Sequence, residues 1–128
     1  MTTKDQLHKE LFDKAHSAGM LAGGKHVPTP MIVGEAKDLF SNDIDYDKPV
    51  YHVPQGVCGF AWIVVTPGTG SFARWLMKNG GHKNYYGGTG YFVHEFGQSM
   101  ECKQQYAYAF ASVLNDAGVN AHGESRMD

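Results

Sequence analysis

The feature that most constrains the fold is a run of apolar residues, Val57–Val65, that contains no charged or polar side chain. Neighbouring residues of a strand point to opposite faces of a sheet, so this run offers apolar side chains to both faces. Phe60 and Trp62 share one face, and Ile63 lies on the other. Only a strand inside a sheet finds apolar partners on both faces. The sequence therefore predicts a sheet with Val57–Val65 as its middle strand.

A helix and a second strand follow this run. Ser71–Asn79 has Phe72, Trp75 and Leu76 at helical spacing and ends at two glycines, which predicts a short helix. Gly90–Phe96 is predicted as the next strand. Helices that alternate with strands in a chain of this size favour a sheet covered by helices.

The best-defined helix comes after the second strand. Ser99 is a good N-cap, Glu101 suits the positive end of the helix dipole, and Gly118 suits a left-handed C-cap. Val119–Arg126 is predicted as a third, partly polar strand. Residues 57–128 therefore predict an α+β core, β-α-β-α-β, in which a small mixed sheet of about three strands has helices on one face.

The N-terminal part of the chain divides into a helix and a segment without periodicity. In residues 1–24, Thr2 or Thr3 can cap a helix that a glycine pair ends at the latest. Its apolar stripe is predicted from residues at helical spacing: Leu7, Leu11, Ala15 and Ala18. Residues 25–56 hold most of the prolines and predict a long irregular segment draped over the core. Residues 1–128 are interpreted as a single domain.

Composition and charge exclude several classes of protein. A hydrophobic fraction of 42% excludes a disordered chain, and a net charge of -2 shows no surplus of basic residues for nucleic acid or anionic membranes. No apolar run reaches the roughly 18 residues of a membrane helix, and the first residues are too polar for a secretory signal. We therefore expect a cytoplasmic protein in which Cys58 and Cys102 are reduced.

A glycine loop joins the first predicted strand to the helix after it. Gly68, Gly70 and Ser71 stand where backbone N–H groups and the helix dipole can bind an anion, in the pattern G-x-G-x-x-A. His94 and Glu95 offer polar contacts, and Glu95 lies near the position of an acidic ribose partner. A plain strand-to-helix turn is the alternative, because the helix is short and the chain is too small for a doubly wound sheet.

A second glycine-rich segment precedes the second predicted strand and carries His82, Tyr85 and Tyr86. Tyrosine offers a large contact area at a low cost in conformational entropy, so a loop of this composition suits binding of a partner. Tyr51 and His52 in the irregular segment are further candidate contacts. The alternative is a hairpin-like connection in which the tyrosines serve only local packing.

Motifs for metal binding and nucleophilic catalysis are missing from the sequence. His and Cys residues do not have the spacing of a zinc site, and His94 and Glu95 face opposite sides of a strand. No G-x-S-x-G motif surrounds a serine. The strand Gly90–Phe96 is aromatic but lacks the leading basic residue of an RNA-recognition strand. We therefore expect no metal, cofactor or nucleic-acid partner, and the sequence favours a protein without enzymatic activity.

Five short strings stand out along the chain: Thr29–Met31, Val57–Trp62, Tyr85–Gly88, Gly97–Met100 and Ser125–Asp128. Together they resemble small uncharacterised proteins of tailed-phage genomes, over about three quarters of the chain. No activity is attached to that group, so the resemblance implies a genomic setting and no residue roles. Small phage accessory proteins often act by binding host machinery, which implies an interaction protein.

The leading interpretation is a non-enzymatic binding protein, a phage-type accessory factor or inhibitor that docks on a host or phage macromolecule, with a protein as the expected partner. It would act in the host cytoplasm. The alternative is a small-ligand or nucleotide-binding protein, or a small enzyme, that uses the Gly68–Ser71 loop. A homodimer is compatible with both interpretations, because a three-stranded sheet leaves an edge to cover.

Overall fold

A computed structural model of the chain describes residues 3–29, 31–34, 48, 50–53 and 56–128, with the backbone alone for 31–34 and 50–53. The elements of these residues follow in this order: α1 (Lys4–Lys25), β1 (Met31–Gly34), β2 (Val50–Val53), β3 (Gly59–Val65), α2 (Ser71–Lys78), β4 (His82–Lys83), β5 (Thr89–Phe92), α3 (Met100–Asp116) and β6 (Ala121–Met127). β1 and β2 form a small antiparallel sheet, and the other strands form a larger one.

The larger sheet has the strand order β4-β5-β3-β6, and all neighbouring strands are antiparallel. β3 lies between two partners, as its two apolar faces predict: Trp62 is opposite Phe92 of β5 and opposite Glu124 of β6. The α+β architecture is therefore confirmed, whereas the larger sheet is antiparallel among its described strands and not mixed. The described sheet has four strands where the sequence predicts about three. The additional strand, β4, is two residues long, which is too short for a periodic signal.

The segment predicted as irregular contains a pair of short strands. β1 and β2 run antiparallel, with Met31 opposite Val53 and Gly34 opposite Val50. Each strand is four residues long, so neither carries enough alternation to be recognised in the sequence. Pairing between segments this far apart depends on tertiary context, which local periodicity does not report.

α3 has the ends that the sequence predicts. Oγ of Ser99 accepts a hydrogen bond from the N–H of Cys102 at 3.3 Å, which caps the first turn. After the last turn, Gly118 has φ +87°, a left-handed conformation in which the absence of a Cβ avoids strain. The strand before α3 is shorter than predicted, because β5 ends at Phe92 and Phe96 has φ +70°.

α1 begins at the predicted cap, Thr3. The Thr3 hydroxyl accepts the N–H of Gln6, and the Gln6 side-chain oxygen accepts the N–H of Thr3, which together form a capping box. The helix continues to Lys25, beyond the glycine pair predicted to end it. A glycine ends a helix only where the chain turns away, and here close packing keeps the backbone helical.

The buried face of α1 is formed by small residues. Ala15, Gly19 and Gly23 are buried, whereas Leu7 is 53% exposed, so the predicted apolar stripe is only partly right. A Cβ on Gly19 would stand 2.6 Å from the ring of Tyr106, so only glycine permits α1 to approach α3 this closely. The glycines that weaken a free helix therefore serve helix packing here.

The hydrophobic core lies between the helices and one face of the larger sheet. Ile63 and Val65 of β3 are buried against Phe110 and Leu114 of α3. Phe12 of α1 packs edge-on against Phe110, with ring centroids 5.4 Å apart. Buried side chains of α2 complete the same cluster, so the helices cover one face of the sheet, as predicted.

Replacing Gly19 with alanine tests the close approach of α1 to α3. The added Cβ overlaps the buried ring of Tyr106, so we expect a loss of about 1–3 kcal/mol in the free energy of unfolding. Gly24→Ala is the matched control. Nothing lies within 4 Å of its Cβ and alanine favours a helix, so we expect a gain of up to about 1 kcal/mol. Urea denaturation measures the free energy of unfolding of both variants. Equal changes in the two variants would contradict the close packing of α1 against α3.

A carboxylate joins the end of α1 to the start of α3. Oε2 of Glu101 lies 2.9 Å from Nε2 of His26 and accepts the N–H of Thr29 at 2.8 Å. The hydrogen bond with His26, followed by that with the Thr29 backbone, lowers the pKa of Glu101 below its ordinary value of 4.5. The contact therefore stabilises the fold above pH 4.5, and this contribution is lost as the pH falls through the lowered pKa.

We expect Glu101→Gln to have a lower free energy of unfolding than the wild type at about pH 7. This difference should disappear as the pH falls toward about 2, because the wild-type carboxyl is then protonated and uncharged, like the amide of the variant. Glu10→Gln is the control, since Glu10 is exposed on α1 and has no ion pair within the described residues. Chemical denaturation across the pH range gives both curves. A deficit that persists unchanged in acid would contradict the role of the carboxylate.

Candidate functional site

The sheet face opposite the core carries a row of aromatic side chains. On β3, Phe60 and Trp62 point to this face, and Phe92 lies opposite Trp62 on β5. The Phe60 and Phe92 side chains are 41% and 42% exposed, which is unusual for neighbouring rings on a regular sheet. The ring of His82 stacks on Phe92, with centroids 4.5 Å apart and planes at 15°. The face thus presents aromatic surface to solvent.

These rings surround an open cleft of about 410 Å³. We call it the aromatic cleft, and its lining residues are Phe60, Trp62, His82, Lys83, Asn84, Tyr85, Phe92 and Arg126. Two of the predicted contact residues, His82 and Tyr85, belong to this lining. Tyr86, the other predicted contact of the glycine-rich segment, stands beside Tyr85 with ring centroids 4.9 Å apart.

Trp62 is held in place by hydrogen bonding. Its Nε1–H donates to Oε2 of Glu124 at 3.0 Å, and Oε1 of the same carboxylate lies 2.9 Å from Nε2 of His122. The polar atom of the indole is therefore satisfied within the fold. Its apolar ring remains available to a ligand in the cleft.

Tyr85 and Tyr86 occupy the tip of a hairpin between β4 and β5. Their side chains are 89% and 88% exposed. Asn84, which is buried, closes the turn below them: its N–H donates to the carbonyl of Gly88 at 3.0 Å, and its Nδ2 donates to that of Gly87 at 3.0 Å. The hairpin-like connection is therefore present, and it displays the tyrosines outward instead of burying them.

The charges around the aromatic cleft are mainly positive. Lys83 and Arg126 are the charged residues of the described lining, and both are cations. Nζ of Lys103, a buried residue of α3, lies 5.6 Å from the centroid of the Phe60 ring and 3.4 Å from the carbonyl oxygen of Gly59. These cations favour a ligand that carries negative charge.

A second cleft, of about 690 Å³, lies between the first turns of α1 and the outer face of α2. We call it the basic cleft, and its lining residues are Lys4, Asp5, Gln6, His8, Lys9, Gly68, Ser71, Arg74, Trp75, Met77, Lys78 and Asn79. Two residues of the glycine loop singled out in the sequence, Gly68 and Ser71, therefore line a concave surface. Gly70 is the N-cap of α2 and makes no side-chain cap.

The predicted polar partners of that loop lie elsewhere. His94 and Glu95 are not among the described residues of the basic cleft. The ring of His94 stands perpendicular to that of Tyr91, with centroids 5.9 Å apart. The antiparallel pairing of β5 with β3 explains the separation: Thr89, at the start of β5, lies opposite Val65, and the chain then runs away from the loop before α2.

Glu95 belongs to a polar cluster beneath α1. Burial, followed by the charge of Glu95, raises the pKa of both Tyr91 and Tyr106 above the ordinary value of 10.0. The Tyr106 phenol therefore keeps its proton and hydrogen-bonds with Nδ1 of His16. Oε2 of Glu95 is buried without a hydrogen-bond partner among the described residues. Tyr106 is fully buried in this cluster, whereas Glu95, Tyr91 and His16 are half-buried.

The other candidate residues are placed as follows. Tyr51 and His52 lie in β2, and their side chains are outside the described residues. Cys58 is half-buried and Cys102 buried, and both are free thiols. Within the described part of the chain, no group of His, Cys, Asp or Glu side chains is arranged to hold a metal ion. None of the described helices is both long enough and apolar enough to cross a membrane.

Several residues that line the two clefts are not predicted from the sequence as site residues. Phe60, Trp62 and Phe92 have the pattern of core residues, and only the packing of the helices shows which face of β3 stays open. Lys4 and Arg74 are far apart in the sequence, so no local motif unites them. One signal in the sequence indicates a cationic face: Arg74 and Lys78 stand four residues apart in a short predicted helix.

Comparisons of the chain with protein-family models, with curated proteins and with solved structures found no match.

Asn84→Ala tests whether the hairpin holds its tyrosines in place. The substitution removes the hydrogen bond to the carbonyl of Gly87, so we expect a loss of about 1 kcal/mol of stability and faster exchange of the backbone N–H groups of residue 84 and Gly87, which donate within the turn. Hydrogen exchange followed by NMR measures this locally. Tyr86→Ala is the control, because this exposed ring should leave both exchange rates unchanged.

Proposed function

We propose that the protein is a non-enzymatic binding protein whose aromatic cleft and tyrosine hairpin dock on a protein partner. One observation carries this proposal: exposed aromatic rings of a regular sheet adjoin a hydrogen-bonded turn that displays Tyr85 and Tyr86. Leaving such rings in water is unfavourable, and contiguous exposed apolar surface is typical of interaction sites.

The residue types of this surface are those that dominate protein interfaces. Tryptophan, tyrosine and arginine supply most binding hot spots, and Trp62, Tyr85 and Arg126 all line the aromatic cleft. Hydrogen bonds already hold Trp62 and the turn below Tyr85. Less conformational entropy is therefore lost when a partner binds.

The size and charge of the aromatic cleft indicate which kind of partner segment fits it. Its volume of about 410 Å³ accepts a large apolar side chain between the rings. Lys83 and Arg126 at its border attract carboxylates on either side of that anchor, and Lys103 adds positive charge behind Phe60. The proposed partner segment is acidic and carries one aromatic or large aliphatic residue.

A protein partner is favoured over single-stranded nucleic acid by the charge at the centre of the face. Aromatic rings stack with bases as readily as with side chains. The carboxylate of Glu124, however, lies directly beside Trp62 and would repel a phosphate backbone that crosses the sheet. An acidic peptide avoids this contact, because its charges lie in its side chains and can be directed to Lys83 and Arg126.

The resemblance to tailed-phage proteins supports a biological setting for this surface. We propose that the protein acts as an accessory factor or inhibitor that docks on a host or phage protein in the host cytoplasm. An inhibitor of this kind needs affinity and no catalysis, in keeping with a site built of aromatic rings and cations.

Selection of a displayed random peptide library on the immobilised protein tests the proposal. We expect enriched peptides to combine one aromatic or large aliphatic residue with flanking Asp or Glu. The affinity of a selected peptide should fall about tenfold or more in Tyr85→Ala and in Phe92→Ala. Fluorescence anisotropy with the labelled peptide gives these affinities.

Leu21→Ala is the matched control, because Leu21 is a comparably exposed apolar residue on α1, outside the cleft. The Leu21→Ala variant should bind the peptide with the affinity of the wild type. Peptides without acidic residues, or peptides that bind all variants equally, would overturn the proposal. Binding of an oligothymidylate that Phe92→Ala abolishes would also overturn it and assign the face to nucleic acid.

A further inference from the structure

The basic cleft concentrates positive charge on a protein that is acidic overall. Four cations line it against a single carboxylate, Asp5, although the whole chain has a net charge of -2. Lys9 forms a surface ion pair with Asp13 at 2.8 Å. Arg74 and Lys78 have no carboxylate partner in the described part of the chain. Like charges held this close repel one another, so an anion in the cleft is stabilising.

The loop before α2 adds polar groups to these cations. Nε2 of His8 lies 2.9 Å from Oγ of Ser71, which fixes the first side chain of α2 at the edge of the cleft. No acidic residue occupies the first turn of α2, and Gly70 provides no side-chain cap. The first backbone N–H groups of the helix therefore have no side-chain acceptor from the cap, and they favour the same anion.

An aromatic side chain completes the cleft. Trp75 is half-buried, lines the cleft and stands one residue after Arg74 on α2. Its ring is supported from behind by Phe12 and flanked by His8, with centroids 5.9 Å and 6.2 Å away. An indole beside several cations suits a ligand that joins a flat ring to phosphates. The volume, about 690 Å³, lies in the range of small-molecule sites.

We propose that the basic cleft binds a nucleoside polyphosphate, with the base against Trp75 and the phosphates against Arg74, Lys78 and Lys4. This site is separate from the aromatic cleft and is independent of the proposed protein partner. Arginine offers bidentate hydrogen bonds to phosphate oxygens, and the lysines act as mobile point charges.

Tryptophan fluorescence tests the site. The chain has two tryptophans, so Trp62→Phe leaves Trp75 as the sole indole reporter. In this background we expect ATP, in buffer without divalent cations, to quench the emission saturably with a Kd of about 1 mM or tighter. Inorganic tripolyphosphate should displace ATP but bind about tenfold more weakly, because it lacks the stacked base.

Charge variants locate the binding. Arg74→Ala and Lys78→Ala change exposed side chains, and each should raise the Kd of ATP about fivefold or more and reduce its dependence on salt. The double variant Lys14→Ala/Lys25→Ala is the control, because it removes two exposed lysines of α1 outside the cleft and should leave the Kd unchanged.

Absence of saturable quenching, or a Kd that Arg74→Ala leaves unchanged, would overturn the assignment of the site. If tripolyphosphate binds as tightly as ATP, the base contributes nothing to binding, and the proposal that the ligand is a nucleoside polyphosphate is overturned. The acidic peptide selected on the aromatic cleft should bind Arg74→Ala with wild-type affinity. Failure of either proposal is therefore distinguishable from failure of the other.

Discussion

The larger sheet and the helices that cover it are built around a strand, β3, that is apolar on both faces. Ile63 and Val65 of β3 must be covered by helices, because burial of each aliphatic side chain is worth about 1.5–3 kcal/mol. Strands on both edges of β3 satisfy its backbone. Phe60 and Trp62 remain on the second face, where Phe60 is exposed and Trp62 half-buried, so part of their apolar surface stays in water at a cost in free energy. The core and the aromatic cleft are thus opposite faces of one strand.

Both clefts are built from side chains that the fold already holds. Glu124 orients Trp62, Asn84 closes the turn below the tyrosines, and His8 contacts Ser71. A group fixed before binding loses little freedom when a ligand arrives. The cations at each border are instead exposed and have long side chains, so in the proposed complexes they would supply attraction more than geometric precision.

Sequence patterns predict those parts of the structure that depend on residues close together in the chain. The two apolar faces of β3 indicate its middle position, and the cap residues Ser99 and Gly118 mark the ends of α3. Which face of β3 stays open is decided by the packing of α3 on the other face, and α1 packs in turn on α3, where Gly19 fits against the ring of Tyr106. No periodicity in the sequence encodes a contact of that kind. The cationic lining of the basic cleft is likewise a product of tertiary packing.

Between the two clefts, the loop before α2 packs on the base of the tyrosine hairpin. A Cβ on Gly68 would lie 3.5 Å from the Cα of Gly88, an ordinary van der Waals distance. Gly88 has φ +83°, and a Cβ there would stand 2.6 Å from the carbonyl oxygen of Val65, so the hairpin base is pressed against the end of β3. Coupling between sites requires an element with two discrete arrangements, and the close contacts of Gly88 favour a single arrangement here. The two proposed sites share no lining residue, and this close packing between them favours independent binding over coupling.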